Sequence, residues 1–584
     1  MRFIFSVLVL FLVQGLSLAQ NTNWEEKVSD KVWASLMTHS EVPVIIMMLD
    51  QKVVESTSSI KGKENKGRYV FNTLRDHAQK TQKEISSFLR EKDVQYQSYH
   101  LVNAISIKGD RSLIQSIAER SDVKMIIEDG MVKVEEPIEE SPMILSPRSA
   151  EPDWGIKMIK ADSVWDQFQV RGEGVVVGGQ DTGYKWDLPQ IKDQYRGYLD
   201  GVVDHNYSWH DAIRDLNPMH SDTINPCGLD LSIPCDDHNH GTHTMGTMVG
   251  TDSTLQIGVA PAAQWIGCRN MERGYGTPST YTECFEWFLA PTDLNGENPR
   301  PDLAPHVINN SWGCPEKEGC NEDNFEMMSI IVQNLKSAGI VVVVSAGNNG
   351  NSCYSIRNPA AIFEASFTVG ASNRRDTITN FSSRGLVLAD GSMRLKPNVV
   401  APGAGVTSVV RDSSLVAWNG TSMAGPHVAG AVALLISAVP ELAGEVEQIE
   451  TILEQSAVPK LSLQACGMDS LQYPNATFGY GRIDILAAIK LAKSMFPSST
   501  SEADNKLGVS LAPNPAEDFL KIEIKGYVRP QPIRVYHVNG ALVDARLLNK
   551  SVSNIDISNW AAGLYIVQIG TGKEAISQKL VVAK

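Results

Sequence analysis

Trp418-Asn419-Gly420-Thr421-Ser422-Met423-Ala424-Gly425-Pro426-His427-Val428 is the stretch on which the reading of this chain turns. A polar turn, Asn419-Gly420-Thr421, leads into small and aliphatic residues from Met423 to Leu435, the composition of a helix buried on all sides. Ser422 therefore falls in the first turn of that helix. The first backbone N–H groups of a helix have no intrahelical partner and carry partial positive charge, so an oxyanion forming beside Ser422 would be stabilised by them. Pro426 is expected in the same first turn, where its missing N–H costs nothing. Gly425, Ala429, Gly430 and Ala431 would let the helix approach its neighbours closely. Taken alone, these residues equally suit a tightly packed helix with an ordinary N-cap serine.

Two upstream segments separate those alternatives. Val175-Val176-Val177-Gly178-Gly179-Gln180-Asp181-Thr182-Gly183 is a short apolar run ending in an Asp and a glycine turn, and His240-Gly241-Thr242-His243 opens another small-residue segment. The order Asp181, His240, Ser422 is that of the subtilisin triad, and neither the chymotrypsin nor the α/β-hydrolase order. On these three motifs the sequence resembles the subtilases over roughly residues 150 to 490, and its long intervening segments look most like the bacillopeptidase F branch. The resemblance implies a secreted serine endopeptidase acting through an acyl-enzyme, with no catalytic cofactor or metal. It implies that Asn348 in Ser345-Ala346-Gly347-Asn348 donates its side-chain amide to the oxyanion, against a plain turn in Asn348-Asn349-Gly350. Ser345, Ala346 and Gly347 would line the substrate. So would Ser311, Trp312 and Gly313, which resemble the family's substrate-pairing strand, with Trp312 where a smaller aliphatic residue is usual.

Continuous β-branched runs at Val175–Val177, Ile340–Val344 and Val399–Val400 suit strands buried on both faces of a parallel sheet, with helix-like segments between them. The expected fold class is α/β, a subtilisin-like three-layer fold with a central parallel sheet. An α+β ferredoxin-like propeptide would precede it and a small β-sandwich would follow. Expected boundaries are a signal peptide at 1–19, a propeptide at 20–145, the peptidase domain at 146–493, a linker at 494–506 and the C-terminal domain at 507–584. Within the propeptide, Val44–Leu49, Ala104–Ile107 and Val123–Ile127 read as strands. Leu74, Ala78, Ile85, Phe88 and Leu89 form one helical stripe, and Leu113, Ile114, Ile117 and Ala118 a second. Glu135–Ala150, rich in Glu, Pro and Ser, reads as a cleavable linker. An independent binding domain is the other reading of this region.

Arg2, the apolar core Phe3–Val13 and the small residues before Gln20 form a secretory signal. No later stretch is expected to approach the length of a transmembrane helix. The 584 residues carry a formal net charge of −15, which argues against nucleic acid or an anionic membrane as partner. Pro-Asn-Pro at 513–515, the run Ala562-Gly-Leu-Tyr-Ile-Val567 and a basic terminus resemble the sorting domain of the bacterial type IX secretion route. That resemblance implies the secretion machinery as partner and export through a Gram-negative periplasm to the surface or medium; a carbohydrate- or protein-binding sandwich is the alternative. Eight cysteines, Cys227, Cys235, Cys268, Cys284, Cys314, Cys320, Cys353 and Cys466, suit disulfides in an exported chain. Local pairs Cys227–Cys235 and Cys314–Cys320 are favoured.

Protein substrates and the chain's own propeptide are thus the expected partners. A zinc hydrolase built on Asp236-Asp237-His238-Asn239-His240 and His243 competes on the chemistry, but no His-Glu-x-x-His occurs. His243 and His427 read as hydrogen-bonded structural residues. An inactive surface adhesin or binding protein keeping the fold competes on function. Gln180 stands where an apolar residue is usual, and Gln190 where an acid would help to hold calcium, so structural calcium is left open with no ligands assigned. Arg357 and Asn358 follow Asn348 at a distance that could bring them to the pocket for the side chain before the cut bond. The insertion around Cys353 leaves their register open. Arg357 there would favour acidic substrates, and a surface arginine is the plainer reading.

Overall fold

A computed structural model describes residues 24–133, 138–139, 151–221, 224–311, 322–496, 508–525, 530–538, 541–570 and 576–583. The expected signal sequence, most of the expected linkers, Trp312, Gly313, Cys314 and Cys320 lie outside these residues. The chain forms two compact units, Met1–Phe496 and Pro497–Lys584.

The first unit begins with an antiparallel sheet of β1 (Val42–Met48), β2 (Tyr96–Tyr99), β3 (Ala104–Gly109) and β4 (Val123–Glu128), in the order β2-β3-β1-β4. With α1 (Lys63–Thr81) and α2 (Lys83–Glu91) before β2 and α3 (Arg111–Ala118) before β4, this is the ferredoxin-like arrangement. The single helical stripe expected over 74–89 is in fact two helices serving two cores. Successive side chains of a strand point to opposite faces. Val44, Ile46 and Met48 thus pack with Ile85 and Leu89 of α2 and Ile114 of α3, while Ile45 and Met47 join Leu74 of α1 in a core shared with the rest of the unit. Periodicity cannot register this division, because it assumes one apolar side. The short polar β2 gave no sequence signal.

The larger part of the unit is built on seven parallel strands: β5 (Val176–Asp181), β6 (Trp209–Asp211), β7 (Gln264–Arg269), β8 (Val307–Asn310), β9 (Val341–Ser345), β10 (Phe367–Ser372) and β11 (Val399–Pro402). Their order is β6-β7-β5-β8-β9-β10-β11, every pairing parallel. The β-branched run of β9 is buried on both faces. Val341 and Val343 pack on the side of α4 (His240–Val249), and Val342 and Val344 on the side of α5 (Pro278–Leu289) and α6 (Glu322–Ser337). Through the α4 side runs α7 (Thr421–Ala438). This helix is long and apolar enough to cross a membrane, with a mean hydropathy of 1.3, yet 89% of it is buried inside the protein. The expectation that no stretch reaches that length is thus corrected: α7 has the composition of a spanning helix because it is a core helix.

Its glycines permit the burial. A side chain at Gly425 would begin 2.9 Å from Asn309 Oδ1, and one at Gly430 would begin 2.6 Å from Val259. Three disulfides are present among the described residues: Cys227–Cys235, as expected, together with Cys268–Cys284 and Cys353–Cys466. The second unit has two sheets, of three and four antiparallel strands, sharing one core that includes Leu520, Ile522, Val535, Tyr565 and Leu580. It is a small β-sandwich.

The N-terminal domain is bound through buried polar contacts as well as apolar ones. Glu286 of α5 accepts from the backbone N–H groups of His100 and Leu101, at 2.6 and 2.8 Å, and Asp129 accepts from Ser279 N at 2.8 Å. Lys63 donates to Ala304 O at 2.6 Å. Burial, with the nearby Arg196 charge, lowers the Lys63 pKa from 10.5 to about 7, and burial raises that of Asp129 from 3.8 to about 6. Undocking therefore takes up a proton on Lys63 between pH 7 and 10.5 and releases one from Asp129 between pH 6 and 3.8. Docking should be weakest near pH 6 to 7 and tighten as pH moves either way. Hydrogen exchange at the His100 and Leu101 amides should report this. Lys63→Met should abolish the tightening on the alkaline side only.

Candidate active site

Strand β5 ends at Asp181, beside β8, where the direction of strand progression through the sheet reverses; ligands of open α/β sheets bind beyond such carboxyl ends. Asp181 is 1% exposed. Its Oδ1 accepts from Thr182 N at 2.8 Å, and its two oxygens lie 2.7 and 2.9 Å from His240 Nδ1. Held this way, His240 donates from Nδ1 and leaves Nε2 as the basic nitrogen. Among the described residues, Nε2 is buried with no hydrogen-bond partner.

The turn before His240 is organised by Asp236, a role no sequence motif indicated. One oxygen accepts from Thr182 Oγ1 and from the N–H groups of His238 and Asn239; the other accepts from the N–H and hydroxyl of Thr242. Thr182 Oγ1 in turn accepts from Gly241 N at 3.0 Å. The segments carrying Asp181 and His240 are thereby locked together. Gly183 has φ +101°, and a Cβ there would fall on Cys235 O, so this contact needs glycine. Asp237 is engaged elsewhere, at 2.6 Å from the fully buried Arg269.

Ser422 is the second residue of α7. Its hydroxyl donates to Ser311 O at 3.0 Å, and the hydroxyl of Ser311 donates back to Ser422 O at 2.9 Å. Pro426 explains the second bond. The helix starts at Thr421, so Pro426 lies in the second turn and not, as expected, in the first. An ordinary residue there would donate to Ser422 O; proline cannot, and Ser311 takes the vacant acceptor. Ser345 Oγ donates to Thr421 O at 2.9 Å. Asn348 Oδ1 accepts from Thr421 N and Oγ1 at 2.9 and 3.0 Å. This fixes the amide with Nδ2 on the Gly420 side, where a Cβ would lie 3.7 Å from it.

His243 stacks on Trp418, centroids 4.4 Å apart, which draws the first turn of α4 toward the chain entering α7. Its Nε2 lies 3.3 Å from Val416 O, and burial lowers its pKa to about 3. His427 Nδ1 lies 2.8 Å from Met423 O, with a pKa lowered by burial to about 4. Among the described residues no three His, Cys, Asp or Glu side chains converge as a metal site. Gln180 is buried, donating to Asn310 Oδ1 and accepting from Asn270 Nδ2. Gln190 binds Asp252 and Ser413.

Two short pairings border this centre. Val132 and Lys133, which follow β4, pair antiparallel with Gly276 and Tyr275; Ile138 and Glu139 pair antiparallel with Asn419 and Trp418. The chain leaving the N-terminal domain therefore pairs first with the segment after β7 and then with the strand that leads into α7. Of the expected substrate-lining residues, Ser311, Ser345 and Gly347 are brought to Thr421–Ser422 by hydrogen bonds, with Ala346 between the last two. Trp312 and Gly313 lie outside the described residues.

Comparison with known proteins matches residues 172–481 to the subtilase family and residues 510–583 to the secretion system C-terminal sorting domain. The chain is 32% identical over 451 residues to bacillopeptidase F of Bacillus subtilis (strain 168), covering 74% of this chain and 29% of that relative. It is 30% identical over 308 residues to subtilisin DY of Bacillus licheniformis, covering 52% of this chain and 90% of that one. Over 289 residues it is 29% identical to the major intracellular serine protease of Bacillus subtilis (strain 168), covering 48% and 74%. The C-terminal sandwich is thus a type IX sorting domain, and the chain is secreted to the cell surface or extracellular space.

Ser311→Ala would leave the buried Ser422 carbonyl without its partner. It should cost about 1–3 kcal/mol of stability, measured by denaturant unfolding. Ser311→Thr, which keeps the hydroxyl, should recover most of it.

Proposed function

Because the chain belongs to the subtilase family, we propose that this serine peptidase is an endopeptidase that cuts proteins through Asp181, His240 and Ser422 and is held latent by its own N-terminal domain. The observation that carries this reading is the His240 imidazole, whose Nδ1 is held by Asp181 and whose Nε2 is buried and unpartnered beside the helix bearing Ser422. A serine hydroxyl is a weak nucleophile until a base takes its proton. Rotation of the Ser422 side chain away from Ser311 O would bring that proton to Nε2. His240 would return it to the leaving amine, while Asp181 holds the tautomer and stabilises the imidazolium. The tetrahedral oxyanion would be met by Asn348 Nδ2 and by N–H groups at the start of α7.

The two short pairings support latency, since they occupy the edges along which an extended substrate would lie. Activation would follow a cut in the segment joining the N-terminal domain to Trp154. Bacillopeptidase F is a longer protein, of which this chain spans 29%, so no activity beyond peptide hydrolysis is carried over from it.

Mass spectrometry of wild type and Ser422→Ala, each followed by incubation with casein, tests the proposal. Wild type should lose its N-terminal domain and digest casein; Ser422→Ala should keep the domain and do neither. Equal processing by both would overturn the role of Ser422. Asn348→Leu should lower turnover about 10²- to 10³-fold, a magnitude known for the equivalent donor in subtilisin itself and not deduced from this geometry.

A further inference from the structure

At the end of the parallel sheet opposite Asp181, a cavity of about 450 Å³ lies where the N-terminal domain meets the peptidase part. Its walls include the starts of β5 and β7, at Val176 and Gln264, residues 302–304 and 306 ahead of β8, and Lys63 at the start of α1. Three basic side chains line it: Lys63 from the N-terminal domain, and Arg196 and His306 from the peptidase part. The mechanism above uses none of them.

The positive charge here is met by neutral groups only. Lys63 is 7% exposed, and its ammonium commits one of three N–H groups, to Ala304 O. Arg196 donates to the carbonyls of Leu303 and Tyr207 and, at 3.4 Å, to the Ser208 hydroxyl. Among the described residues neither cation has an ion pair. Of the two acids lining the cavity, Asp302 is engaged by Arg300, and Glu64 is exposed. His306 Nδ1 accepts from Val176 N at 3.1 Å, so the neutral ring carries its proton on Nε2. Burial, and then the neighbouring Arg196 charge, hold the Lys63 pKa down at about 7. Buried cations are ordinarily paired, because a carbonyl answers only part of the cost of taking a full charge out of water.

We propose that this cavity binds a small tetrahedral oxyanion of the phosphate or sulfate class, which accepts from Lys63, Arg196 and His306 Nε2 and so bridges the N-terminal domain to the peptidase part. Ammonium and guanidinium groups hold such oxygens by charge-assisted bonds, the stronger class, and both cations keep N–H groups uncommitted. The bound anion supplies the counter-charge that the protein's own carbonyls do not. Lys63 belongs to the N-terminal domain, so the site is whole only while that domain is docked. An anion that binds the docked state alone stabilises docking by mass action. The cavity is remote from Asp181, at the other end of β5, and the inference does not depend on which residue attacks the peptide bond.

The test uses the intact chain carrying Ser422→Ala, so that no self-cleavage intervenes. Inorganic phosphate, sulfate, acetate and chloride are compared at one pH and one ionic strength, by calorimetric titration and by hydrogen exchange at the His100 and Leu101 amides, whose bonds to Glu286 open when the domain leaves. Phosphate and sulfate should each fill a single site and slow that exchange by a factor of one plus the ratio of anion concentration to dissociation constant. Acetate and chloride should do neither. Lys63→Met should abolish binding. Because that variant also alters the docking contact, two changes at the exposed Gln264 wall stand beside it: Gln264→Glu should weaken phosphate about tenfold, and Gln264→Lys should strengthen it by a similar factor. Absence of saturable binding, binding that none of the three variants moves, or binding that leaves the exchange unchanged overturns the bridging site. Acetate binding as tightly as phosphate overturns the class of ligand.

Discussion

The reactive centre depends on burying the first turns of α7 against the ends of β8 and β9. A helix start has backbone groups that the helix itself does not satisfy, and here water is not available to them. The sequence meets this by three local devices. Gly425 removes the side chain that would hold the helix off Asn309. Asn348 Oδ1 takes the orphan N–H of Thr421, and where Pro426 deletes the N–H that would bind Ser422 O, Ser311 at the end of β8 supplies a donor in its place. Ser422 is thereby fixed at both ends of its residue, its hydroxyl and its carbonyl each bonded to Ser311. A second helix start, that of α4, is solved differently, by a single carboxylate, Asp236, that spans four groups of its own turn and the neighbouring Thr182.

Much of this was legible in the sequence, and the parts that were not share a cause. Asp181 and Ser422 stand at the ends of an apolar run and a polar turn, and their order with His240 is what carried the resemblance to the subtilases, which in turn singled out Asn348. The parallel sheet was legible because β-branched runs such as Ile340–Val344 mark strands covered on both faces. Features that arise between distant segments were not. Cys353 and Cys466 are separated by 113 residues, and nothing in either neighbourhood announces the other. Asp236 was visible only as one acid in an acidic, histidine-rich run, and its partners are assembled by the fold. Pro426 was misplaced because the helix start was judged from composition, whereas the start is set by Asn348 receiving Thr421 N.

The N-terminal domain was harder still. Its sequence shows amphipathic elements, and amphipathicity normally marks one inside and one outside. Here both faces of β1 are inside, one in the domain's own core and the other against α5 and α6. The second face has a partner only because the following domain supplies it. Polar groups at the same junction, Glu286, Asp129 and Lys63, are satisfied across it and would otherwise be buried without partners or return to water.

That junction lies within a single compact unit, and this has a consequence for timing. While the connecting segment is whole, the domain and the cleft share one molecule, and their effective concentration is on the order of millimolar for a short tether. One cut converts the pair into two solutes whose association depends on how much of each is present. Inside the cell, or in transit, the separated domain would still be abundant near its partner. Once the chain is outside, the surrounding volume is effectively unlimited, and dilution alone draws the two apart. Secretion would then set when the cleft opens, with no signal required beyond the change of volume.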